Sequence, residues 1–481
     1  LIQQLELTSQ HSEDHEDLRS LDFPQLTTLK VRISYSKGSL FPTQCLRCYL
    51  APTLTGIELG CVADPTLLGA LTKHCPWLRR VELNLRAARL AADPDAVLHY
   101  LQTSPSLVHI SLTGHNDITP QILHALATKP GLKQLDIKMP LNPDIVDAAG
   151  LVSAPDPFAF PALESLVLGA EVGIRVLSKL LPYVRSMKHL CVGLPRSLKA
   201  VPMTMPVEAN PGATNTTFTF TLQDLSTHLP NLRTLNLKFH TRTEIHLPEL
   251  LSLALFTELE ELHLTSSLPY FRIPKITDTH FTSLVSRLRH LRELSLYCAQ
   301  ESLTTESLIA LGQSCRSLVF CTIKCLPLDL SALEDRTGTT SASDRPLFPE
   351  LTDLSVHHLL LPNSPGNYPY SSRHQIETYL DIPKEEDGEE DMLPDPNDEP
   401  GQSYDSEIEL KPDPVVIAIQ VSILTMHFPK MAYLEFWPAA DVHWEFTEAV
   451  KTAWMEEKGR RVERMRLARI SQMEYETVRP V

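Results

Sequence analysis

The sequence predicts an α/β solenoid, a parallel sheet lining the concave face with helices on the convex face, and three observations predict it. Leucine supplies 78 of the 481 residues, and 73 of these precede residue 381. A hexad of the form apolar, two residues, apolar, one residue, apolar recurs fourteen times. From Ile2 to Leu351 its starts are about 29 residues apart on average, the period at which one strand and one helix alternate in a stacked array.

The hexads begin at Ile2, Leu26, Leu54, Leu78, Leu107, Leu132 and Leu163. They continue from Met187, Leu232, Leu259, Leu291, Leu318, Leu351 and Met431. Within each one the fourth and sixth residues are two apart, so they share a strand face and enter the core. The third, fifth and following residues face outward. Between hexads the apolar spacing is helical, as at Leu67, Leu68, Leu71 and Cys75, or Leu222, Leu225 and Leu229. A strand, a crossover helix and a parallel strand make a right-handed unit. One such unit cannot bury its apolar side alone, whereas a stack makes a continuous core.

Along the chain, residues 1–360 read as the solenoid, with loops ejected at about 194–220 and 334–346, both rich in turn-forming residues. Residues 361–414 read as an acidic, proline-rich, disordered insertion. Between Asp381 and Leu410 thirteen carboxylates face one base, Lys384, so most of the net charge of −16 sits there. Residues 415–440 read as a last repeat, and 441–481 as an amphipathic capping helix and tail, with Phe446, Val450, Trp454, Val462 and Met465 at helical spacing. The start at Leu1 reads as truncated, without the features of a secretory signal.

The segment LRELSLYCAQESLTTESLIALGQSCRSLVFCTI from Leu291 resembles the cysteine-containing subclass of leucine-rich repeats. The stretches from Leu67, His115 and Ile276 support the resemblance, which covers roughly residues 1–360 and 415–440. It implies a horseshoe like that of ribonuclease inhibitor. Proteins with such repeats are commonly F-box proteins, the substrate receptors of cullin-RING ubiquitin ligases, and the irregular repeat lengths look like the fungal members. The F-box itself is not in this chain. LPELLSLALF from Leu247 resembles an F-box opening, but its Glu-Leu-Leu is displaced by one residue and it falls where the repeat requires a helix. The resemblance implies a target protein held by the repeats, with a Skp-type adaptor and cullin bound only through an upstream F-box. The alternatives are a scaffold without an F-box and a leucine-rich GTPase activator.

Composition and motifs point to binding and not catalysis. The chain has no Walker A, dinucleotide-binding, nucleophile-elbow or H-E-x-x-H motif. Cys45-Leu-Arg-Cys48 has no second pair for zinc, so no metal and no cofactor is expected, and the thiols read as buried. Nine cysteines, an odd number widely spread, suit a reducing compartment, cytoplasm or nucleus. The acidic charge argues against nucleic acid, and no apolar stretch reaches the roughly 20 residues needed to span a membrane.

The outward positions then locate the binding surface. Early strands present Thr28, Lys30, Arg32, Arg80, Glu82, Asn84, His109, Ser111 and Thr113, a mixed polar set. Late strands present Tyr297, Phe320, Lys324, His357, Tyr433 and Trp437, the aromatic enrichment of binding hot spots. Adjacent strands lie about 4.8 Å apart, which predicts that these residues line up in one row and that early positions such as Thr28 or Ser111 contribute far less.

Overall fold

A computed structural model describes residues 2–8, 23–31, 43–62, 65–85, 93–114, 117–151, 159–169, 174–194, 222–239, 247–266, 276–297, 303–333, 346–360, 414–436 and 444–477. The expected loops at about 194–220 and 334–346 and the acidic segment lie almost wholly outside these residues, as do Arg32 and Trp437.

Every hexad becomes a strand. These are β1 (Gln4–Leu7), β2 (Thr28–Val31), β3 (Gly56–Val62), β4 (Arg80–Asn84), β5 (His109–Thr113), β6 (Gln134–Lys138) and β7 (Ser165–Leu168). They continue as β8 (His189–Leu194), β9 (Thr234–Phe239), β10 (Glu261–Ser266), β11 (Glu293–Leu296), β12 (Phe320–Leu328), β13 (Asp353–Leu359) and β14 (Tyr433–Phe436). All fourteen form one sheet in chain order, with parallel pairing. The register aligns the hexads column by column. Leu29, Ile57, Val81 and Ile110 stand side by side, as do Val31, Leu59, Leu83 and Leu112 two residues on, and all are at most 1% exposed. Each such side chain contributes about 1.5–3 kcal/mol when withdrawn from water. This is a leucine-rich-repeat solenoid.

The lead into each strand explains the regularity. Phe23-Pro24, Ala51-Pro52, Cys75-Pro76, Lys129-Pro130, Phe160-Pro161, Leu229-Pro230 and Phe428-Pro429 each open a four-residue turn that closes on the first residue of the hexad. There Leu26, Leu54 and Leu78 donate their amides to Phe23, Ala51 and Cys75 at 3.1, 3.0 and 3.2 Å. Proline in the second place of the turn supplies its fixed φ. Helix starts are equally local. Asp93, Thr119 and Asn142 cap helices Pro94–Thr103, Pro120–Ala127 and Pro143–Ala148, each with proline in the first turn. Successive repeats are also tied by side chains. Asp278 accepts from the Thr304 amide at 2.8 Å, the Thr304 hydroxyl at 2.9 Å and the buried Ser307 hydroxyl at 2.6 Å. Gly312, in helix Thr305–Ser314, leaves room for Leu347 and Phe348, since a Cβ there would meet Leu347 Cγ at 2.4 Å. The F-box-like stretch from Leu247 is helix Leu247–Ser252 followed by a 3-10 turn at Leu253–Leu255, between β9 and β10 as the repeat requires.

The chain divides into two compact units. The first, residues 1–327, 342–357 and 426–437, holds the repeats. The second, residues 328–341, 358–425 and 438–481, contains most of helix Pro414–His427 and all of helix Trp444–Thr477. The last helix, Trp444–Thr477, falls within the expected 441–481, and its apolar stripe is not uniform. Phe446, Val450 and Trp454 are buried, whereas Val462 and Met465 are more than half exposed. No helix among the described residues is long and apolar enough to cross a membrane.

Candidate partner-binding face

The outer face of the sheet carries three aligned rows. The first row holds Thr28, Arg80, His109, Glu261, Glu293, Phe320, Asp353 and Tyr433 among others; the second holds residues two further on; the third holds residues four further on, except at β3, where a bulge sets Val62 beside Asn84. The expected aromatics therefore occupy two rows and not one. Phe320 and Tyr433 lie in the first, with Asp353 between them. Tyr297, Lys324 and His357 follow the last paired core residues of their strands and lie in the third, about 13 Å away along the strand direction. A single row fails because the six residues come from different places in the hexad, and strand alignment preserves that difference.

Within the third row two expected residues do meet. The Lys324 ammonium sits 3.7 Å from the centroid of the Tyr297 ring, a cation–π contact. Burial pushes Lys324 down to about 8, with the Glu435 carboxylate pulling the other way. Burial and then Glu435 push the Tyr297 hydroxyl up. Phe320 and His357 are half-buried, and Tyr433 is exposed at 52%. Tyr433 thus stands about half open to solvent, while the Tyr297–Lys324 pair is pre-organised beside Glu435.

The early face is held differently. Lys30 pairs with Glu58 at 3.2 Å and Lys138 with Asp136 at 2.8 Å. Ser111, expected to be an open outward position, is 3% exposed and donates to Asp136 at 3.2 Å. A small side chain between taller neighbours is covered by them. Thr28 remains half-exposed.

No protein-family model matches the sequence, and no curated protein does. Among solved structures the chain is similar to an internalin (inlF) from Listeria monocytogenes strain 4b F2365, at 15% identity over 70% of this chain and 76% of that one, with a TM-score of 0.35. It is also similar to a chain in the structure of the yeast Rad7 and Elc1 complex, at 17% identity over 68% of this chain and 82% of that one, with a TM-score of 0.39.

The thiols divide by position. Cys75 and Cys315 fill the same place in the turn before a strand, and Cys315 Sγ donates to Leu288 O at 3.2 Å. Burial pushes Cys75 up to about 11 and Cys315 up to about 12. Cys321 occupies a core column and is fully buried. Cys48, expected to be buried, is exposed at the end of the 3-10 segment Thr43–Tyr49, where no strand column draws it inward.

Sequence reasoning missed one cluster, Glu261, His263 and Glu293. Its signal is visible when the hexads LEELHL and LRELSL are aligned, because both have glutamate in the third place and the first has histidine in the fifth.

Proposed function

We propose that this chain is a non-catalytic recognition subunit that holds a target protein on the outer face of β11 to β14. At the finer level it is the target-binding part of an SCF-type cullin-RING ubiquitin ligase. The observation behind the first statement is the Tyr297–Lys324 pair, with Phe320 on β12 and Tyr433 on β14 in the first row of the same face. Aromatic side chains with a desolvated cation are typical binding anchors, and a sheet holds them at low entropic cost. The finer reading is supported by the cysteine-type repeats, in which Cys75 and Cys315 take equivalent places before β4 and β12. In this reading the chain works in the cytoplasm or nucleus, and an F-box on the complete gene product binds the Skp-type adaptor.

The test has two parts. The complete gene product is expected to co-purify with a Skp-type adaptor and cullin; absence of both leaves a scaffold without an F-box. Phe320→Ala and Tyr433→Ala are each expected to weaken capture of the target at least about thirtyfold, a hot-spot loss of roughly 2 kcal/mol, while Thr28→Ala leaves it unchanged. All three are expected to melt with the parent chain. If the two aromatic variants melt early, these side chains serve the fold and the face is not the target site.

A further inference from the structure

Glu261 and Glu293 are register partners in the first outward row of β10 and β11, and His263 stands two residues along β10. One ligand atom from each lies within 4.8 Å of the other two, and all three side chains are half-buried. Polar neighbours orient them. His263 Nδ1 lies 2.9 Å from Ser295 Oγ, which leaves Nε2 on the side of Glu293, 3.6 Å from its carboxylate. Thr234 Oγ1 donates to Glu261 at 3.1 Å, and His189 Nδ1 holds Thr234 from behind at 2.9 Å. A ligand imidazole whose second nitrogen is fixed by a hydrogen bond, and a ligand carboxylate that is itself hydrogen-bonded, are the usual surroundings of a metal.

Charge and satisfaction point the same way. Among the described residues no lysine or arginine forms an ion pair with Glu261 or Glu293, although the charge of Lys238 on β9 reaches His263. Asn236, the register partner of His263 on β9, has a buried Oδ1 with no hydrogen-bond partner. Such an orphan acceptor is one that a metal-bound water would satisfy.

We propose that Glu261, His263 and Glu293 form a binding site for a divalent transition cation of the zinc class, completed by water. One imidazole nitrogen with carboxylate oxygens suits zinc better than magnesium or calcium, which take oxygen ligands alone. Ligand atoms about 2.1 Å from a tetrahedral ion stand roughly 3.4 Å apart, so small side-chain rotations close the observed cluster. The site does not depend on the partner reading, since it needs no second protein.

The test uses the full chain, stripped with chelator and titrated with Co2+ by absorption and with Zn2+ by calorimetry. One equivalent is expected, with the weak d–d bands of nitrogen and oxygen ligands and no thiolate charge-transfer band. His263→Ala and Glu293→Gln are expected to lose at least about a hundredfold in affinity, and Ser295→Ala about 10–100-fold through the orienting bond. Melting without metal is measured for each variant. Should one melt early, Glu261→Gln, which preserves shape, is expected to show the same loss. Equal binding by His263→Ala, a signal from thiolate ligands only, or no response at millimolar Co2+ overturns the site.

Discussion

Lys324 is the residue on which the chemistry of the late face turns. Its charged form is disfavoured by burial, and its value of about 8 lies below the ordinary 10.5. Between these two values the unfolded chain binds more protons at this position than the folded chain, so the contribution of Lys324 to stability rises with pH across that window. Below pH 8 the full penalty is present, partly offset by the Tyr297 ring. Lysine-selective NMR is expected to give a midpoint near 8 for Lys324, and Glu435→Gln to lower it further, because Glu435 is the group that favours the charge. A midpoint at the ordinary lysine value would mean that the ammonium is solvated and the pair is not pre-organised. At this scale the sequence was only partly legible. Tyr297 and Lys324 could be named from their places in the hexads, but their contact depends on register across two strands. Ser111 looks open in the sequence because the pattern records direction and not the height of the neighbours. Glu261, His263 and Glu293 escaped because the ligands come from two hexads and fall together only when the strands are aligned.

Elements were far more legible, because each strand carries its own hexad and seven of them are entered through a proline turn. Leu135 and Ile137 of β6, or Leu262 and Leu264 of β10, could enter the core only on the face that the hexad assigns them, and all are buried. The last helix was less legible. Phe446, Val450, Trp454, Val462 and Met465 sit at helical spacing, and spacing alone does not say how far along the helix the cover extends. Trp454 is 3% exposed, whereas Met455, Val462, Met465 and Leu467 are each more than half exposed. Trp454→Ala is therefore expected to cost about 3–5 kcal/mol of stability. Ending the chain after Arg461 is expected to cost less than about 1 kcal/mol, since the described side chains it removes, 462–467, are exposed, and the ion pairs lost, Glu457 with Arg464 and Glu463 with Arg466, lie at the surface. Denaturant titration of the two variants separates them. A truncated chain as unstable as Trp454→Ala would show that the distal turns are packed after all.

At the scale of the whole sheet, stability follows from repetition. Each repeat contacts mainly its neighbours, so local opening starts where a neighbour is lacking and is costliest in the middle. The burial pattern records this. Leu29 and Ile57 are at most 1% exposed, but Leu5 on β1, the register partner of Leu29, is half-exposed, and Gln4 and Glu6 are open to solvent. Among the described residues β1 pairs with β2 alone, whereas β10 pairs with both β9 and β11. In a chain of residues 1–481, hydrogen exchange under native conditions is expected to release the amides of β1 first, β2 next and those of β9 to β11 last. The interval between the ends of that series is expected to exceed about 2 kcal/mol of opening free energy, the gap between fraying and core segments. Protection in β1 equal to that in β10 would show that the first strand is covered by another part of the molecule, and the nearest-neighbour account would fail there.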